Sequence, residues 1–297
     1  VSPDQKNINP KYLRYQLDTH HYWKWVQVNS MRSGQPGING QQYASFPVPL
    51  PPNLEEQDLI SEALSDQDEL ISNLELLIEK KRAIKNGVMQ ELLTGKRRLP
   101  GFSGDWTEEN LASFGDVLNG LTYSPADVRD SGTLVLRSSN IQNDLLAFDS
   151  NVFVQMDVPQ QSTVEPNDLL ICVRNGSRDL IGKVAKIDER CTGMAFGAFM
   201  AVFRTEYHDF ILHKFRSQEI KKQISERLGA TINQITNGNL KSFTVLMPPT
   251  KEEASAIAEL LRELEDEIAA LDMRLAKARQ IKEGMMQDLL TGKVRLV

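Results

Sequence analysis

A long internal repeat constrains the fold of this chain more than any other feature. Residues 46–99 align with residues 243–296 at a constant offset of 197 without a gap, and 25 of the 54 aligned pairs are identical. Repeats in solenoid proteins recur every ~20–50 residues and stack on each other, which a separation this wide does not allow. The sequence therefore predicts one structural module that is present twice, with a different segment inserted between the copies.

Each copy of the repeat is predicted to form one long helix, over residues 54–93 and 251–290. Apolar residues follow a 3.5-residue spacing in both copies, which is typical of a coiled coil. Asn53 and Thr250 begin the helices, and a glutamate three residues after each completes a capping-box pattern. Both copies open acidic and close basic, so antiparallel packing places unlike charges together. We expect an antiparallel coiled coil; the alternative is two unrelated surface helices.

The segment between the copies, residues 100–242, is predicted to be a mixed globular domain. Short β-rich runs lie between clusters of turn-forming residues, at 133–137, 152–156, 169–174, 182–187 and 199–204. A helix is predicted over 209–228, followed by a polar, almost uncharged loop over 229–239. The expected fold class is therefore α+β, a mixed α/β domain flanked by two long helices.

Composition places bounds on the location and chemistry of the chain. The 297 residues are 40% hydrophobic and 25% charged, which is ordinary for a soluble protein, and no apolar stretch is long enough to span a membrane. Cys172 and Cys191 show no metal-ligand spacing, and two unpaired thiols suit the reducing cytoplasm. We expect a cytoplasmic protein that does not bind membranes.

Sequence patterns of enzymes are absent. Residues 9–12 read Asn-Pro-Lys-Tyr and lack the second proline of the adenine methyltransferase loop, and no glycine-rich cofactor loop is present. The Thr-Gly-Lys tripeptides at 94–96 and 291–293 lack the first glycine and the final Ser/Thr of a phosphate-binding loop. The four histidines have no metal-site spacing. The sequence therefore predicts no catalytic residue, no metal and no cofactor.

An ordered set of short motifs carries a resemblance to a known family. The motifs are LPGFSGDW at 99–106, GLTYS at 120–124, VLRSSNI at 135–141, PPxxEE at 248–253 and LLTGK at 289–293. Over nearly its whole length the chain resembles the specificity subunit of type I restriction-modification systems. That resemblance implies two target-recognition domains that each read half of a split DNA site, and two conserved helices that hold them apart and dock methyltransferase subunits.

The chain departs from this pattern because most of the first recognition domain is missing. We divide it into a C-terminal remnant of a first target-recognition domain (1–52), a first conserved coiled-coil helix (53–99), a target-recognition domain (100–249) and a second conserved helix (250–297). The remnant is inferred because residues 1–45 resemble the end of the later domain and run into the repeat in the same way.

The resemblance implies a non-catalytic subunit that reads a DNA half-site through residues 100–249. Its expected partners are double-stranded DNA, methyltransferase (modification) subunits and, through the complex, the restriction/translocase subunit; self-association is a further possibility that would supply the missing domain. Residues 100–242 hold 14 Lys/Arg against 18 Asp/Glu, so affinity for DNA is expected to come from local basic patches together with positive charge that partner subunits supply. The alternative function is a truncated scaffold or inhibitor that binds methyltransferase subunits without reading DNA.

Candidate DNA-contacting residues fall into three groups of polar or basic side chains, with two lysines from nearby basic patches. The first group lies in a loop after a buried strand and offers arginine and asparagine, which suit guanine and adenine in the major groove. The second group lies in the family motifs. The third lies in the polar loop, where phosphate contact is as plausible as base contact. The set comprises Tyr123, Ser124, Ser138, Asn140, Arg174, Asn175, Ser177, Arg178, Lys183, Lys222, Asn233, Gln234, Thr236, Asn237 and Lys241.

Overall fold

The computed structural model describes residues 4–31, 35–228 and 233–296. Residues 229–232 of the predicted polar loop lie outside the described residues. The chain divides into two compact units, one made of residues 1–82 with 266–297 and the other of residues 83–265. Each unit is described separately below.

Eight α-helices are found in the described residues. They are α1 (Pro10–Leu17), α2 (His20–Asn29), α3 (Gly40–Ala44), α4 (Leu54–Leu92), α5 (His208–Arg216), α6 (Gln218–Arg227), α7 (Asn237–Lys241) and α8 (Lys251–Leu289). The 39-residue helices α4 and α8 are those predicted from the repeat. Gly95 and Gly292 follow them with φ of 67° and 72°, the left-handed conformation that ends a helix.

The helix starts follow the predicted capping pattern only in part. Asn53 Oδ1 accepts the backbone N–H of Glu56 at 2.9 Å, and Thr250 Oγ1 accepts that of Glu253 at 3.3 Å. Both glutamate side chains, however, are fully buried and bind arginines. The capping motif therefore uses the Asn or Thr side chain, while the glutamate carboxylate forms a tertiary ion pair.

In the first unit, the C-terminal part of α8 packs on the N-terminal part of α4 in the opposite direction. The seam contains a cluster of buried apolar residues from both helices, Leu74, Ile78, Leu271, Leu275 and Ala278. Gln67, predicted as a polar seam residue, donates from Nε2 to the carbonyl of Ala278 at 2.9 Å. Lys282 pairs with Asp68 at 2.7 Å and Arg82 with Asp272 at 2.9 Å. These contacts establish the antiparallel packing predicted from the charge distribution.

Within the first unit, helix α1 packs against α4 and the end of α8 through aromatic and amide side chains. Tyr12 and Tyr15 join Ile60, Leu64 and Leu289 in one buried cluster. The buried Gln16 donates from Nε2 to the carbonyl of Leu290 at 2.8 Å. This bond satisfies a backbone carbonyl at the end of α8 that has no intrahelical partner.

All strands in the described residues lie in the second unit. They are β1 (Thr107–Asn110), β2 (Gly115–Asn119), β3 (Val128–Arg129), β4 (Thr133–Leu136), β5 (Ile141–Gln142), β6 (Leu145–Leu146), β7 (Phe153–Val154), β8 (Leu169–Cys172), β9 (Val184–Lys186), β10 (Ala195–Phe196), β11 (Met200–Thr205) and β12 (Thr244–Met247). Sheet orders are β2-β11-β8-β9, β10-β4-β7-β3, β1-β12 and β5-β6. Together with α5 and α6 they form the mixed domain that the sequence predicted.

The central strand β8 is buried on both faces. Leu169 and Ile171 belong to a core cluster shared with α5 and α6, whereas Leu170 and Cys172 belong to a second cluster with residues of β4 and β10. Successive side chains of a strand point to opposite faces, so a strand between two layers is apolar throughout. Burial raises the pKa of both cysteine thiols, that of Cys191 to about 11, so both remain protonated at neutral pH.

The predicted helix over 209–228 is wrong in one respect, because it is two helices. Ser217 separates α5 from α6 with an extended backbone at φ −75° and ψ 161°. Its hydroxyl donates to the carbonyl of Lys214 at 2.6 Å, which satisfies a group released by the break. The predicted strands are present but shorter or shifted; the run predicted at 199–204 begins at Met200, which leaves Phe199 outside the strand.

Two ion pairs occupy equivalent positions in the repeat, one in each unit. Arg98 Nη2 binds Glu253 Oε2 at 2.6 Å in the second unit, and Arg295 binds Glu56 through both carboxylate oxygens in the first. Each arginine therefore binds the glutamate that begins the other copy's helix. The hydrogen bonds from Arg295 lower the pKa of Glu56.

Candidate nucleic-acid interface

The loop after β8 emerges from the core at Arg174. Val173 and Arg174 both donate their backbone N–H to the carbonyl of Phe199, at 3.0 and 3.1 Å. On the other side, Arg174 forms an antiparallel bridge with Gln234, and Ile235 donates to the carbonyl of Val173 at 2.8 Å. The backbone at Arg174 is thus fixed from both sides, while its side chain is exposed.

A tight turn holds Phe199 beside this arginine. Within the turn, Ala198 donates to the carbonyl of Leu121 at 2.9 Å and Met200 donates to that of Gly197 at 2.8 Å. Gly120 approaches so closely that an added Cβ would lie 2.1 Å from the carbonyl oxygen of Gly197. Only glycine fits there, and the turn is therefore anchored to the segment after β2.

The Arg174 guanidinium lies over the Phe199 ring, with Cζ 4.8 Å from the ring centroid. The ring itself is 54% exposed. Among the residues that the structure describes, the guanidinium makes no hydrogen bond or ion pair. Its five N–H donors are therefore available to an external acceptor.

Next to Arg174, the remaining loop residues form a local hydrogen-bond network. Asn175 Nδ2 donates to Ser138 Oγ at 3.0 Å, and Asn175 Oδ1 accepts the backbone N–H of Ser177 at 3.0 Å. Asn233 Nδ2 donates to the carbonyl of Gly176 at 3.1 Å. The structure thus brings together candidates from all three sequence groups, including Ser138 from a family motif and Asn233 from the polar loop.

A polar cleft of about 330 Å³ continues this surface. Its lining includes the candidates Gln234, Thr236 and Asn237, together with Thr122 and Asn119. Asn237 Nδ2 donates to Asn119 Oδ1 at 2.7 Å, and Thr236 caps α7 through its side chain. The cleft offers amide and hydroxyl groups without a formal charge.

Tyr123 and Ser124 follow the cleft residue Thr122 along the chain. Tyr123 is half-buried against an apolar cluster, and Ser124 Oγ donates to Asp127 Oδ2 at 2.8 Å. Hydrogen bonds from Ser124 lower the pKa of Asp127, which therefore stays ionised at neutral pH. Ser124 is held in a turn rather than pointing freely to solvent.

Asn140 does not belong to this surface. Its side chain is fully buried, donates to Ala147 and Asn151 at 2.9 and 3.2 Å, and accepts the backbone N–H of Arg137 at 3.0 Å. The amide is used entirely inside the fold, so we leave Asn140 out of the proposed interface.

Two further basic candidates, Arg178 and Lys183, hydrogen-bond to backbone carbonyls of the chain and make no hydrogen bond with Arg174. Arg178 Nη2 donates to the carbonyl of Ser225 on α6 at 3.1 Å, and Lys183 Nζ donates to the carbonyl of Ile141 at 3.3 Å. Both line a second cavity, of about 380 Å³, whose rim also carries Asp144 and Asp179. Lys222 and Lys241 are exposed and lie outside both cavities.

Phe199 and Asn119 were not predicted as site residues. An apolar residue at the start of a β-rich run is normally assigned to the core, and Asn119 ends a strand just before the GLTYS motif rather than within it. The sequence did contain one signal for Phe199, because a glycine, Gly197, lies two residues before it and glycine is typical of turns.

Comparison with known proteins identifies the family. The family described as "Type I restriction modification DNA specificity domain" matches residues 1–84 and 103–278. The chain belongs to this family. It is therefore a specificity subunit of the type I restriction-modification class, and such subunits are non-catalytic.

Individual relatives agree with this assignment. The chain is 25% identical over 316 aligned residues to the type I restriction enzyme MjaVIII specificity subunit of Methanocaldococcus jannaschii, with all of this chain and 73% of the relative covered. It is 28% identical over 200 residues to the EcoKI specificity subunit of Escherichia coli K12, covering 64% of this chain and 42% of the relative.

Solved structures share the fold. The S subunit of a type I restriction-modification system from M. genitalium aligns with a TM-score of 0.63 at 14% identity, over 96% of this chain and 74% of that one. The HsdS subunit from Thermoanaerobacter tengcongensis aligns with a TM-score of 0.54 at 17% identity, over 99% and 73%. In the part of the specificity subunit that the structure describes, no helix has the length and apolar character needed to cross a bilayer.

Proposed function

We propose that this specificity subunit reads a DNA half-site through the surface centred on Arg174. The observation that carries the proposal is the exposed guanidinium of Arg174, which is held on a fixed backbone and has its hydrogen-bond donors free of partners among the described residues. An arginine in that state suits bidentate contact with O6 and N7 of guanine, the commonest specific contact in the major groove.

The polar groups around Arg174 support base reading over simple attraction to phosphate. The amides of Asn175 and Asn237 each make hydrogen bonds within the protein but keep a further donor and acceptor position, and Gln234 lies beside them in the cleft. An amide that can both donate and accept has the property needed to distinguish adenine from other bases. Phosphate contact requires only donors and positive charge. The cleft beside Arg174 has no such charge, so its groups favour contacts to base edges.

The acidic balance of this region implies that other subunits assist DNA binding. Residues 100–242 hold 14 Lys/Arg against 18 Asp/Glu, and Arg178 and Lys183 bind carbonyls of the chain. Neutralising phosphates and releasing their counterions normally supplies much of the affinity for DNA. We propose that modification subunits enclose the duplex and provide much of this phosphate contact.

We propose further that α4 and α8 dock these modification subunits. In the first unit the seam residues are buried, yet large apolar side chains remain on the outer faces of both helices: Leu70 is 43% exposed, Leu77 39% and Met273 69%. Exposed apolar side chains of this size are suited to burial against a partner protein.

Methylome mapping tests the reading function directly. The chain is co-expressed with its methyltransferase, and methylated adenines are mapped in the host DNA for the wild type and for Arg174→Ala and Asn175→Ala. Loss of one bidentate contact is expected to reduce discrimination at one base pair by ~1–3 kcal/mol, which relaxes the motif at that position.

Lys222→Ala is the matched control, because Lys222 is exposed on α6 and lies outside the cleft. It is expected to lower methylation at all sites alike, or to have no effect. An unchanged motif and unchanged methylation level in both loop variants would refute the assignment of base reading to this surface.

A second candidate function is a scaffold that binds modification subunits without reading DNA. The acidic balance of residues 100–242 favours it. Co-purification of the methyltransferase with the chain, with no methylated motif in the host DNA and no DNA binding by the complex, would select the scaffold.

A further inference from the structure

We infer that Phe199 is a positioning residue for base reading: it fixes the orientation of the Arg174 guanidinium and thereby makes the Arg174–Phe199 pair selective for guanine at one position of the half-site. The inference rests on the proposed function, because it specifies how one residue of the proposed surface acts.

The exposure of Phe199 is unusual for this unit. Five other phenylalanines, at positions 196, 203, 210, 215 and 243, are each no more than 1% exposed, whereas Phe199 is 54% exposed. An exposed aromatic ring forgoes the stabilisation that burial of a large apolar side chain gives. Its position at the edge of the polar surface indicates that the ring serves an interaction there.

The backbone that carries the ring is held in place by hydrogen bonds on both sides of its turn. The Phe199 carbonyl accepts from both Val173 and Arg174, and Ala198 is bonded to Leu121. Arginine has several rotatable bonds and loses side-chain entropy when it is immobilised. Stacking on a fixed ring restricts that freedom before DNA arrives, so less entropy is lost on binding.

Stacking also leaves the donors of Arg174 in a useful geometry. The guanidinium is planar, with its N–H bonds pointing outward in that plane, and its Cζ lies over the Phe199 ring at 4.8 Å from the centroid, within cation–π range. Two of the parallel donors can therefore meet O6 and N7 of a guanine without leaving the ring. A lysine or an unstacked arginine in this position would present charge without a fixed direction.

The experiment compares three substitutions at Phe199 in the co-expressed complex with methyltransferase. Phe199→Ala removes the ring, Phe199→Leu keeps apolar bulk without an aromatic face, and Phe199→Tyr keeps the face. The backbone bonds of the turn remain available in all three. Leu145→Ala is the matched control, because Leu145 is 67% exposed in the same unit and lies outside the Arg174 surface.

Two measurements are made on each complex. Methylome sequencing gives the recognised motif, and fluorescence anisotropy gives affinity for duplexes that carry the wild-type motif or a substitution at each position. Circular dichroism confirms that each variant is folded.

We expect Phe199→Ala and Phe199→Leu to relax the motif at the same position as Arg174→Ala, and no other. A cation–π contact at an exposed site is worth ~0.5–1 kcal/mol, so preference for guanine is expected to fall roughly two- to fivefold. In the Arg174→Ala background, Phe199→Ala is expected to have no further effect on that preference. Phe199→Tyr is expected to retain the wild-type motif, and Leu145→Ala to leave it unchanged.

Three results would overturn the inference. The first is an equal loss of affinity for every duplex when the ring is removed. The second is relaxation of the recognised motif at a position other than the one that Arg174→Ala relaxes. The third is additivity of the effects of Arg174→Ala and Phe199→Ala on the preference for guanine. These failures differ from failure of the proposed function, in which the wild-type complex itself shows no sequence preference or Arg174→Ala leaves the motif unchanged.

Discussion

Protonation of His213 is expected to destabilise the second unit in mildly acidic solution. This side chain lies on α5, is 2% exposed and places Nδ1 3.8 Å from Glu265 Oε1. Lys85, Arg216 and Asp209 also face it. Burial is the main cause that lowers the pKa of His213 from 6.5 to about 4.

The direction of the effect follows from the two pKa values. The imidazole binds a proton more readily in the unfolded chain than in the folded one, so stability is lost as the pH falls from about 6.5 to about 4. Between pH 7 and pH 5 the loss from this group is about 2 kcal/mol. Most carboxylates remain ionised at pH 5, so they contribute little to the change over this interval.

Urea unfolding at pH 7 and pH 5 measures the effect. His213→Phe removes the titrating group, and its loss of unfolding free energy between the two pH values is expected to be about 2 kcal/mol smaller than that of the wild type. His20→Gln removes an exposed imidazole in the other unit and is expected to behave like the wild type. Equal losses in the wild type and His213→Phe would refute the reasoning.

Three further predictions concern the helices and their ends. Leu74→Pro interrupts α4 within the seam and is expected to destabilise the helix by ~3 kcal/mol or more; retention of both helicity by circular dichroism and methyltransferase co-purification would contradict it. Arg98→Ala leaves the buried carboxylate of Glu253 without its partner and is expected to lower the unfolding free energy by ~3–5 kcal/mol, whereas a denaturation midpoint equal to wild type would show that the pair is not needed. The fully buried Lys214 donates to the carbonyl of Leu93 at 2.7 Å. Lys214→Met is therefore expected to lower the free energy of unfolding by ~1–3 kcal/mol, and Lys214→Gln to lower it by less. Equal losses of unfolding free energy in urea for the two variants would refute this.

The long helices could be predicted from the sequence because their signals are local and repeated. Seam spacing, Asn53 and Thr250 as caps and the glycines after the helices all act within a few residues, and the structure places both helices within one residue of the predicted ends. The partners of Glu56 and Glu253 could not be predicted in this way, because those arginines are more than 150 residues away in the chain.

The candidate interface was only partly predictable, because local sequence signals identify some of its residues and contacts between distant residues determine the others. Residue type and position after an apolar run singled out Arg174, and its side chain is exposed in the structure. The interior position of Asn140 depends on the carbonyl of Ala147 and the amide of Asn151, and the break at Ser217 depends on packing of two short helices; neither leaves a local pattern. Phe199 was missed because aromatic residues next to strands are usually buried.

The ion pairs Arg98–Glu253 and Arg295–Glu56, each of which joins the two copies of the repeat, limit how the length of the long helices can evolve. Arg98 lies 42 positions after Glu56, and Arg295 lies 42 positions after Glu253. Inserting one residue into either helix would rotate the remainder by about 100° and shift it by about 1.5 Å, which moves the seam out of phase and separates an arginine from its carboxylate. A change in helix length that keeps the seam and the ion pair of a unit must therefore preserve the phase of the helix, which agrees with an alignment of the repeat without a single gap.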